Sequence, residues 1–395
     1  MKKNRRILIV MPCDDLPVPA VKGGAISTLV ESIMKVNEEF KTVDLSIITT
    51  VNNESLEKSR THYPQTTIIP ILIKVFIKKL DSYLSSRNIL QKLYVIKFVS
   101  DHLKKVDYDA IVLQNSGYLL KIFKNNFLLD KYEGKIFYHL HNDVPTNIDV
   151  GVLNKCKLLL ISKYLQCKLV EIAGDSILKN CVVVKNGIDI SRFSNVISIE
   201  DRLKIREKWH VSTNTKVILF VGRITPEKGI NELINAVSSC KDDDVKLIIV
   251  GSVNFGAKGK SKFENDIMEK CRNLGDLVLF TGYVHNSFLY KYYKSADIII
   301  LPSIWNEPAG LTMLEALACG MPLITTNAGG IPEYVDERYA ILLNNDHSIC
   351  SNIVMTIKQY IKGEIKKATT LETENYVSTF FSEEVFYQNF IKSIK

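Results

Sequence analysis

The chain has 395 residues, a formal net charge of +8, 46% hydrophobic residues and 24% charged residues. This length exceeds what one hydrophobic core supports and suits two domains, while the composition excludes a disordered or fibrous protein. Eight cysteines without Cys-x-x-Cys spacing predict neither a disulfide framework nor a zinc site. The apolar run at 7–11 is too short for a signal-peptide core, and no stretch is apolar enough to span a bilayer. We therefore expect a cytoplasmic protein.

Short runs rich in β-branched residues alternate with helical patterns, which predicts parallel α/β sheets. In the first half we expect strands at 6–10, 44–49, 110–113, 135–139, 157–161 and 182–184. The pattern restarts after a charged, helix-like stretch, with strands at 217–221, 246–250, 278–281, 298–301, 322–325 and 340–342. The restart predicts two α/β domains, 1–195 and 196–379. Apolar residues at helical spacing predict a closing helix over about 380–395 that crosses back to the first domain.

The segment 71–105 is basic and partly apolar. Its lysines and arginines are Lys74, Lys78, Lys79, Arg87, Lys92, Lys97, Lys104 and Lys105, against Asp81 and Asp101. Such a segment either packs on its own domain as a helix with a solvated basic face, or lies on an anionic membrane with its apolar side in the interface. No recognition motif or aromatic-interleaved basic patch elsewhere predicts nucleic-acid binding.

The loop at 222–229, between a strand and a helical pattern at 230–237, contains two glycines, Arg223 and Lys228. Glycine allows close backbone approach and the two cations neutralise charge, so this loop is suited to holding phosphates. Glycine turns after strands are common, and the alternative is that both cations are merely exposed.

A second loop, at 302–310, follows the strand at 298–301 and contains Glu307. The helix expected from about 310–312 would point its N-terminal amides at the same end of the sheet, offering a second anion site. Glu315 lies on its first turns among apolar residues, where a carboxylate needs partners. Sugar hydroxyls can donate hydrogen bonds to it, and the alternative is a solvated helix residue.

Together, Arg223 with 227–229, the Glu307 and Glu315 pair, and the segment 329–333 resemble glycosyltransferase family 4. The resemblance covers nearly the whole chain in the family's motif order. It implies the GT-B fold, two Rossmann-like domains with a central cleft, and retaining transfer of a sugar from a nucleoside diphosphate sugar, most commonly a UDP-sugar. It implies no metal and no other cofactor.

The resemblance also implies roles for single residues. Arg223 and Lys228 match the cations on the donor diphosphate, Glu315 matches the glutamate that binds the ribose, and Glu307 matches the glutamate facing the transferred sugar. Further matches to donor-binding positions are Gly310, Leu311, Tyr283 and Val284.

The first domain supplies weaker matches. Gly24, in the turn at 22–26, matches a glycine turn near the donor phosphates, although it is also a plain turn before a helix. His141, favoured over His139, matches a histidine close to the reacting sugar; a structural role is its alternative. The stretch 186–189 matches a family signature, which we interpret as a turn suited to positive φ.

The basic first domain and the resemblance suggest a saccharide or polyprenyl-diphosphate-linked saccharide acceptor, in cell-surface polysaccharide synthesis at the inner face of the membrane. The alternatives are a sugar-nucleotide epimerase of the same fold and a non-catalytic sugar-nucleotide sensor. A nicotinamide-dependent dehydrogenase is disfavoured because no Gly-x-Gly-x-x-Gly follows the first strand.

Overall fold

The computed structural model describes residues 4–13, 16–21, 24–84, 88–144, 148–252, 261–365 and 368–395. The chain divides into two compact units, residues 1–186 with 383–395, and residues 187–382. The division follows Asn186, near the boundary expected at 195. The last helix begins at Glu383 and is counted with the first unit.

The first unit is built on a seven-stranded parallel sheet of order β3-β2-β1-β4-β5-β6-β7. Its strands are β1 Arg5–Val10, β2 Val43–Thr50, β3 Thr67–Ile71, β4 Ala110–Gln114, β5 Ile136–Leu140, β6 Lys157–Leu160 and β7 Cys181–Val183. All six strands expected from the pattern are present. β3 was not expected, because it carries Pro70 and lacks clean alternation. It lies at the sheet edge, where a missing backbone N–H is tolerated.

Helices cover this sheet: α1 Ala25–Phe40, α2 Asn53–His62, α3 Val75–Leu84, α4 Ile89–Lys105, α5 Asn126–Lys131, α6 Val150–Leu153, α7 Lys163–Ala173 and α17 Glu383–Ser393, with 3₁₀ turns at Gly117–Lys124 and Asp175–Asn180. α17 packs beside α1. The hydroxyl of Tyr387 donates to Asn37 Oδ1 at 2.7 Å, and Glu383 forms an ion pair with Lys35. These contacts attach the chain terminus to the first unit.

The second unit has a six-stranded parallel sheet of order β10-β9-β8-β11-β12-β13. Its strands are β8 Lys216–Val221, β9 Val245–Val250, β10 Val278–Gly282, β11 Ile298–Leu301, β12 Leu323–Thr326 and β13 Ala340–Leu343. Its helices are α8 Ile190–Phe193, α9 Ile199–Lys208, α10 Ile230–Ser238, α11 Lys262–Asn273, α12 Leu289–Ser295, α13 Leu311–Ala318, α14 Ile331–Tyr334, α15 Ile349–Ile361 and α16 Thr370–Phe381, with 3₁₀ turns at Pro226–Lys228, Gly275–Leu277 and Asn286–Phe288. Every strand expected here is present.

Strand order reverses between β1 and β4 in the first sheet and between β8 and β11 in the second. At such a switch point the following loops leave in opposite directions and open a crevice at the carboxyl ends of the strands. In the second unit, the two loops at this point are those at 222–229 and 302–310. The prediction of Rossmann-like α/β units is therefore confirmed.

The stretch from Asn186 to Asp189 does not have the predicted backbone. Neither Asn186 nor Gly187 has positive φ, so that prediction is wrong. Ile188 instead donates its N–H to the Phe381 carbonyl at 2.8 Å and pairs in parallel with Ser382. Strand-like pairing keeps the segment extended and needs no left-handed residue.

α3 and the residues just before it leave apolar side chains in solvent. The residues are Leu72, Val75, Phe76 and Tyr83, with exposed fractions of 68%, 69%, 71% and 90%, and we call them the α3 surface. Lys74, Lys78 and Lys79 are exposed among them. Asp81 is buried, and its two oxygens accept from Leu90 N and Gln91 N, each at 2.8 Å. Arg87 lies outside the described residues.

No helix in the described ranges has both the length and the apolar character needed to cross a bilayer.

Candidate active site

The two switch-point loops of the second unit are joined by backbone contacts. The Glu227 carbonyl accepts from Ile304 N at 3.1 Å and from Trp305 N at 3.3 Å. Gly229 has φ +67°, and a Cβ there would lie 1.9 Å from the Pro302 carbonyl oxygen. Only glycine fits this approach, so the glycine of the motif sets the spacing between the loops.

Lys228 and Glu307 form an ion pair across this junction. Lys228 Nζ donates to Glu307 Oε1 at 2.8 Å, and the side chains are 20% and 9% exposed. A carboxylate this buried requires a cationic partner. The structure thus brings together one predicted phosphate ligand and the glutamate predicted to face the sugar.

The segment 329–333 supports Glu307 from behind. Gly330 N–H donates to the Glu307 carbonyl at 2.6 Å. Gly329 has φ +61°, and a Cβ there would lie 2.7 Å from Glu307 N. The segment 329–333 therefore holds the backbone of Glu307 in place.

Arg223 is more exposed than Lys228. Its guanidinium lies 3.8 Å from the Glu227 carboxylate, and its side chain is 46% exposed. An ion pair this long and exposed contributes little to stability. The guanidinium is therefore accessible to an anionic ligand at the carboxyl end of β8.

Glu315 lies one turn inside α13 and is half-buried. The hydroxyl of the fully buried Tyr293 donates to Glu315 Oε2 at 3.0 Å. Burial raises the pKa of Glu315 to about 7, although the Tyr293 hydrogen bond and the charge of Arg192 act in the opposite direction. Sequence reasoning missed Tyr293, because nothing local distinguishes it from the other tyrosines of α12.

The remaining predicted residues of the second unit end strands or begin a helix. Gly310 caps α13 and accepts from Leu314 N at 3.2 Å, and Leu311 is the first residue of that helix. Tyr283 and Val284 follow β10 and are half-buried; burial raises the pKa of Tyr283. Because the sheet is parallel, all of these residues lie toward its carboxyl edge.

In the first unit, Gly24 precedes α1 with φ +144°, and a Cβ there would lie 3.1 Å from Leu16 Cδ1. Ser27 Oγ donates to the Leu16 carbonyl at 3.0 Å, which holds the turn against the helix. Lys22 and Gly23 of the same motif lie outside the described residues.

His139 and His141 lie next to each other, with ring centroids 4.0 Å apart, and both are buried. His139 packs against Phe386 and Phe390 of α17, at centroid distances of 6.5 and 5.9 Å. Burial lowers the pKa of His141 to about 3 and that of His139 well below its ordinary value. Both rings are therefore neutral at physiological pH.

Two residues that sequence reasoning missed hold His141 in place. Gln114 Oε1 lies 2.8 Å from His141 Nε2. Asn115, with φ +49°, accepts at its Oδ1 from His141 N at 2.8 Å and Asn142 N at 3.0 Å. Both contacts form because β4 and β5 are neighbours in the sheet. In the sequence, the adjacent amides Gln114 and Asn115 at the end of β4 were the signal that could have indicated them.

In the part of the chain that the structure describes, no three His, Cys, Asp or Glu side chains are grouped so as to hold a metal ion.

Residues 201–374 match the family model described as glycosyl transferases group 1. An uncharacterized glycosyltransferase of Methanocaldococcus jannaschii is 33% identical over 193 residues, which are 47% of this chain and 46% of that protein. The chain thus spans about half the length of this relative. The lipopolysaccharide 1,2-N-acetylglucosaminetransferase of Salmonella typhimurium is 24% identical over 300 residues, 75% of each chain.

The crystal structure of Anabaena HepE in complex with UDP-glucose matches with a TM-score of 0.72 and 19% identity, over 98% of this chain and 99% of that one. At this identity the likeness concerns the fold, which is the predicted GT-B class of two Rossmann-like units. Residues 201–374, which lie in the second unit, are thus similar to the group 1 glycosyl transferases.

Proposed function

We propose that this chain is a glycosyltransferase, a retaining hexosyltransferase of family 4 that moves a sugar from a nucleoside diphosphate sugar, a UDP-sugar, to a saccharide or polyprenyl-diphosphate-linked saccharide. The observation that carries the proposal is the Lys228–Glu307 ion pair at the switch point of the second sheet. The HepE structure with UDP-glucose supports the choice of donor. The name of the Salmonella relative supports a role in cell-surface polysaccharide synthesis.

Departure of the nucleoside diphosphate is the step that the second unit would assist. As the bond between the anomeric carbon and the diphosphate oxygen breaks, negative charge develops on that oxygen. Arg223 is exposed and Lys228 partly so, and both would neutralise this charge without a metal ion or other cofactor. The backbone N–H groups of Gly310 and Leu311, at the start of α13, would add donors on the same anion.

Glu315 would bind the ribose of the donor. A carboxylate accepts hydrogen bonds from two adjacent hydroxyls, and the Tyr293 contact leaves Oε1 to do so. Tyr283 and Val284 would frame the base, and Gly24 would approach the donor phosphates.

In the transfer step, the acceptor hydroxyl would attack the anomeric carbon from the face that the diphosphate leaves. A phosphate oxygen of the departing diphosphate would take the hydroxyl proton, so no carboxylate nucleophile is required. Glu307 would stabilise the positive charge that develops on the sugar, and His141 would contact a hydroxyl of the reacting sugar. The configuration at the anomeric carbon would be retained.

We assign the contact with a membrane-held acceptor to the α3 surface. Its apolar side chains would enter the interface of an anionic bilayer, while Lys74, Lys78 and Lys79 would meet lipid phosphates. The enzyme would then work at the inner face of the cell membrane.

Vesicle flotation tests this contact. Wild-type protein should float with vesicles containing phosphatidylglycerol and remain below with phosphatidylcholine vesicles. Phe76→Ser should weaken flotation, while Phe40→Ser, which removes a phenylalanine 53% exposed on α1, should not. Equal flotation of both variants and the wild type would contradict the assignment.

Donor turnover tests the function itself. The protein is incubated with a panel of nucleoside diphosphate sugars, with and without lipid-linked saccharides, and nucleoside diphosphate release is followed. We expect release from one donor, accelerated by an acceptor and lost in Glu307→Gln, while Glu269→Gln, which changes an exposed glutamate of α11, retains activity. Sugar interconversion without an acceptor would instead identify an epimerase, and donor binding without turnover would identify a sensor.

A further inference from the structure

Buried polar atoms without a partner are concentrated where β4 and β5 end in the first unit. Gln114 Nε2, His141 Nδ1 and both ring nitrogens of His139 are buried and make no hydrogen bond with the residues that the structure describes. The side chains of Gln114, His139 and His141 are at most 6% exposed. Buried polar groups in proteins are almost always paired, so this cluster requires an explanation.

One hydrogen bond within this cluster joins Gln114 to His141. Gln114 presents its carbonyl oxygen, Oε1, to His141 Nε2 at 2.8 Å. With the carbonyl oxygen on this side, the hydrogen of the contact lies on the imidazole Nε2, because a carbonyl oxygen only accepts hydrogen bonds. A neutral imidazole has one N–H, and its other nitrogen, Nδ1, then carries a lone pair.

We propose that Gln114 is a positioning residue that fixes the tautomer of His141, so that Nδ1 is a hydrogen-bond acceptor for a carbohydrate hydroxyl. The inference rests on the proposed function only for the identity of that ligand. The tautomer itself is a property of the free protein.

The surroundings favour an acceptor that stays neutral. His139 lies 4.0 Å from His141 between ring centroids, and burial opposes a positive charge on either ring. Asn115 holds the backbone of His141 and Asn142 from the next strand end, so the ring cannot move away with its loop. A fixed, neutral acceptor discriminates a ligand that carries a hydroxyl from one that lacks it, because the latter leaves Nδ1 unpaired.

Nuclear magnetic resonance of the full chain, labelled with ¹⁵N in its histidines, tests the tautomer without substrate. His141 is assigned by comparison with His141→Phe. We expect the signal of a neutral ring protonated at Nε2 in the wild type. The same form is expected in Gln114→Glu, which keeps an acceptor oxygen, and a loss of this preference in Gln114→Leu. Gln65→Leu, an exposed glutamine of the same unit, is the matched control and should change nothing.

Turnover with the donor identified above provides the second readout. Gln114→Leu should lower kcat/KM by about tenfold, the weight of one well-placed hydrogen bond, and Gln114→Glu should restore most of it. A wild-type ring protonated at Nδ1, or a tautomer unchanged in Gln114→Leu, would overturn the inference. Since the tautomer is read without substrate, failure of the proposed function would leave that result intact.

Discussion

Replacing Glu315 with glutamine should stabilise the second unit at alkaline pH. The carboxyl is half-buried in α13, and among the described residues it accepts a hydrogen bond from the Tyr293 hydroxyl, 3.0 Å away. Glutamine has nearly the same shape as a protonated glutamic acid and can still accept that hydrogen bond through its amide oxygen. The substitution therefore removes the buried charge and little else.

The size of the effect follows from the raised pKa of Glu315. Burial moves it from 4.5 to about 7, so the folded chain binds this proton more tightly than the unfolded chain. The contribution of Glu315 to stability is then fully present below about pH 4.5 and lost as pH rises to 7. At about 1.4 kcal/mol per pKa unit, the loss reaches up to about 3 kcal/mol above pH 7. Glu315→Gln should recover it at pH 8 and change little at pH 4.

Tryptophan fluorescence during urea unfolding measures the free energy of unfolding of the second unit, because the chain's two tryptophans, Trp209 and Trp305, both lie in that unit. Glu269→Gln, an exposed glutamate of α11, is the matched control and should show no pH-dependent gain. A Glu315→Gln effect that is the same at both pH values, or a loss of stability at pH 8, would refute the reasoning. The same variant should bind the donor more weakly, since an amide oxygen accepts a ribose hydroxyl less strongly than a carboxylate does.

Three further substitutions test other contacts. Gly229→Ala places a Cβ 1.9 Å from a backbone oxygen, so it should lower the free energy of unfolding by at least about 2 kcal/mol and reduce donor turnover. Gly275→Ala is the control, because Gly275 also has positive φ but a Cβ there meets open space. Its free energy of unfolding in urea should fall by only about 1 kcal/mol. Arg206→Met removes a buried guanidinium that donates to Asp297 Oδ2 at 3.0 Å and should destabilise the second unit by about 3 kcal/mol in the fluorescence assay; an unchanged midpoint would contradict this. Tyr387→Phe loses the hydrogen bond from α17 to Asn37 of α1. The free energy of local opening of α17 should fall by about 1 kcal/mol, and its amide hydrogens should exchange faster. Unaltered exchange would argue that this hydrogen bond does not hold α17 against α1.

Much of the fold was predictable because strand signals are local. Each expected run of β-branched and leucine residues became a strand of a parallel sheet, partly exposed in the edge strands β7 and β10. β3 was not predicted, because it is an edge strand that is only partly buried and that tolerates Pro70. Its pattern and composition therefore differ from those of an inner strand. The extended backbone of 186–189 was not predicted either, because it depends on the pairing of Ile188 with Ser382, which lies far away in the chain.

The sequence by itself determined which residue types follow which strands, and so the two parallel sheets and the motif residues Lys228, Glu307 and Glu315. Tertiary structure alone decided their partners and their charge states. Tyr293 reaches Glu315, and Gln114 reaches His141, because strand order and helix packing bring together residues 22 and 27 positions apart. Local periodicity specifies which face of an element is buried, but the side chain that lies opposite depends on the order in which the strands assemble.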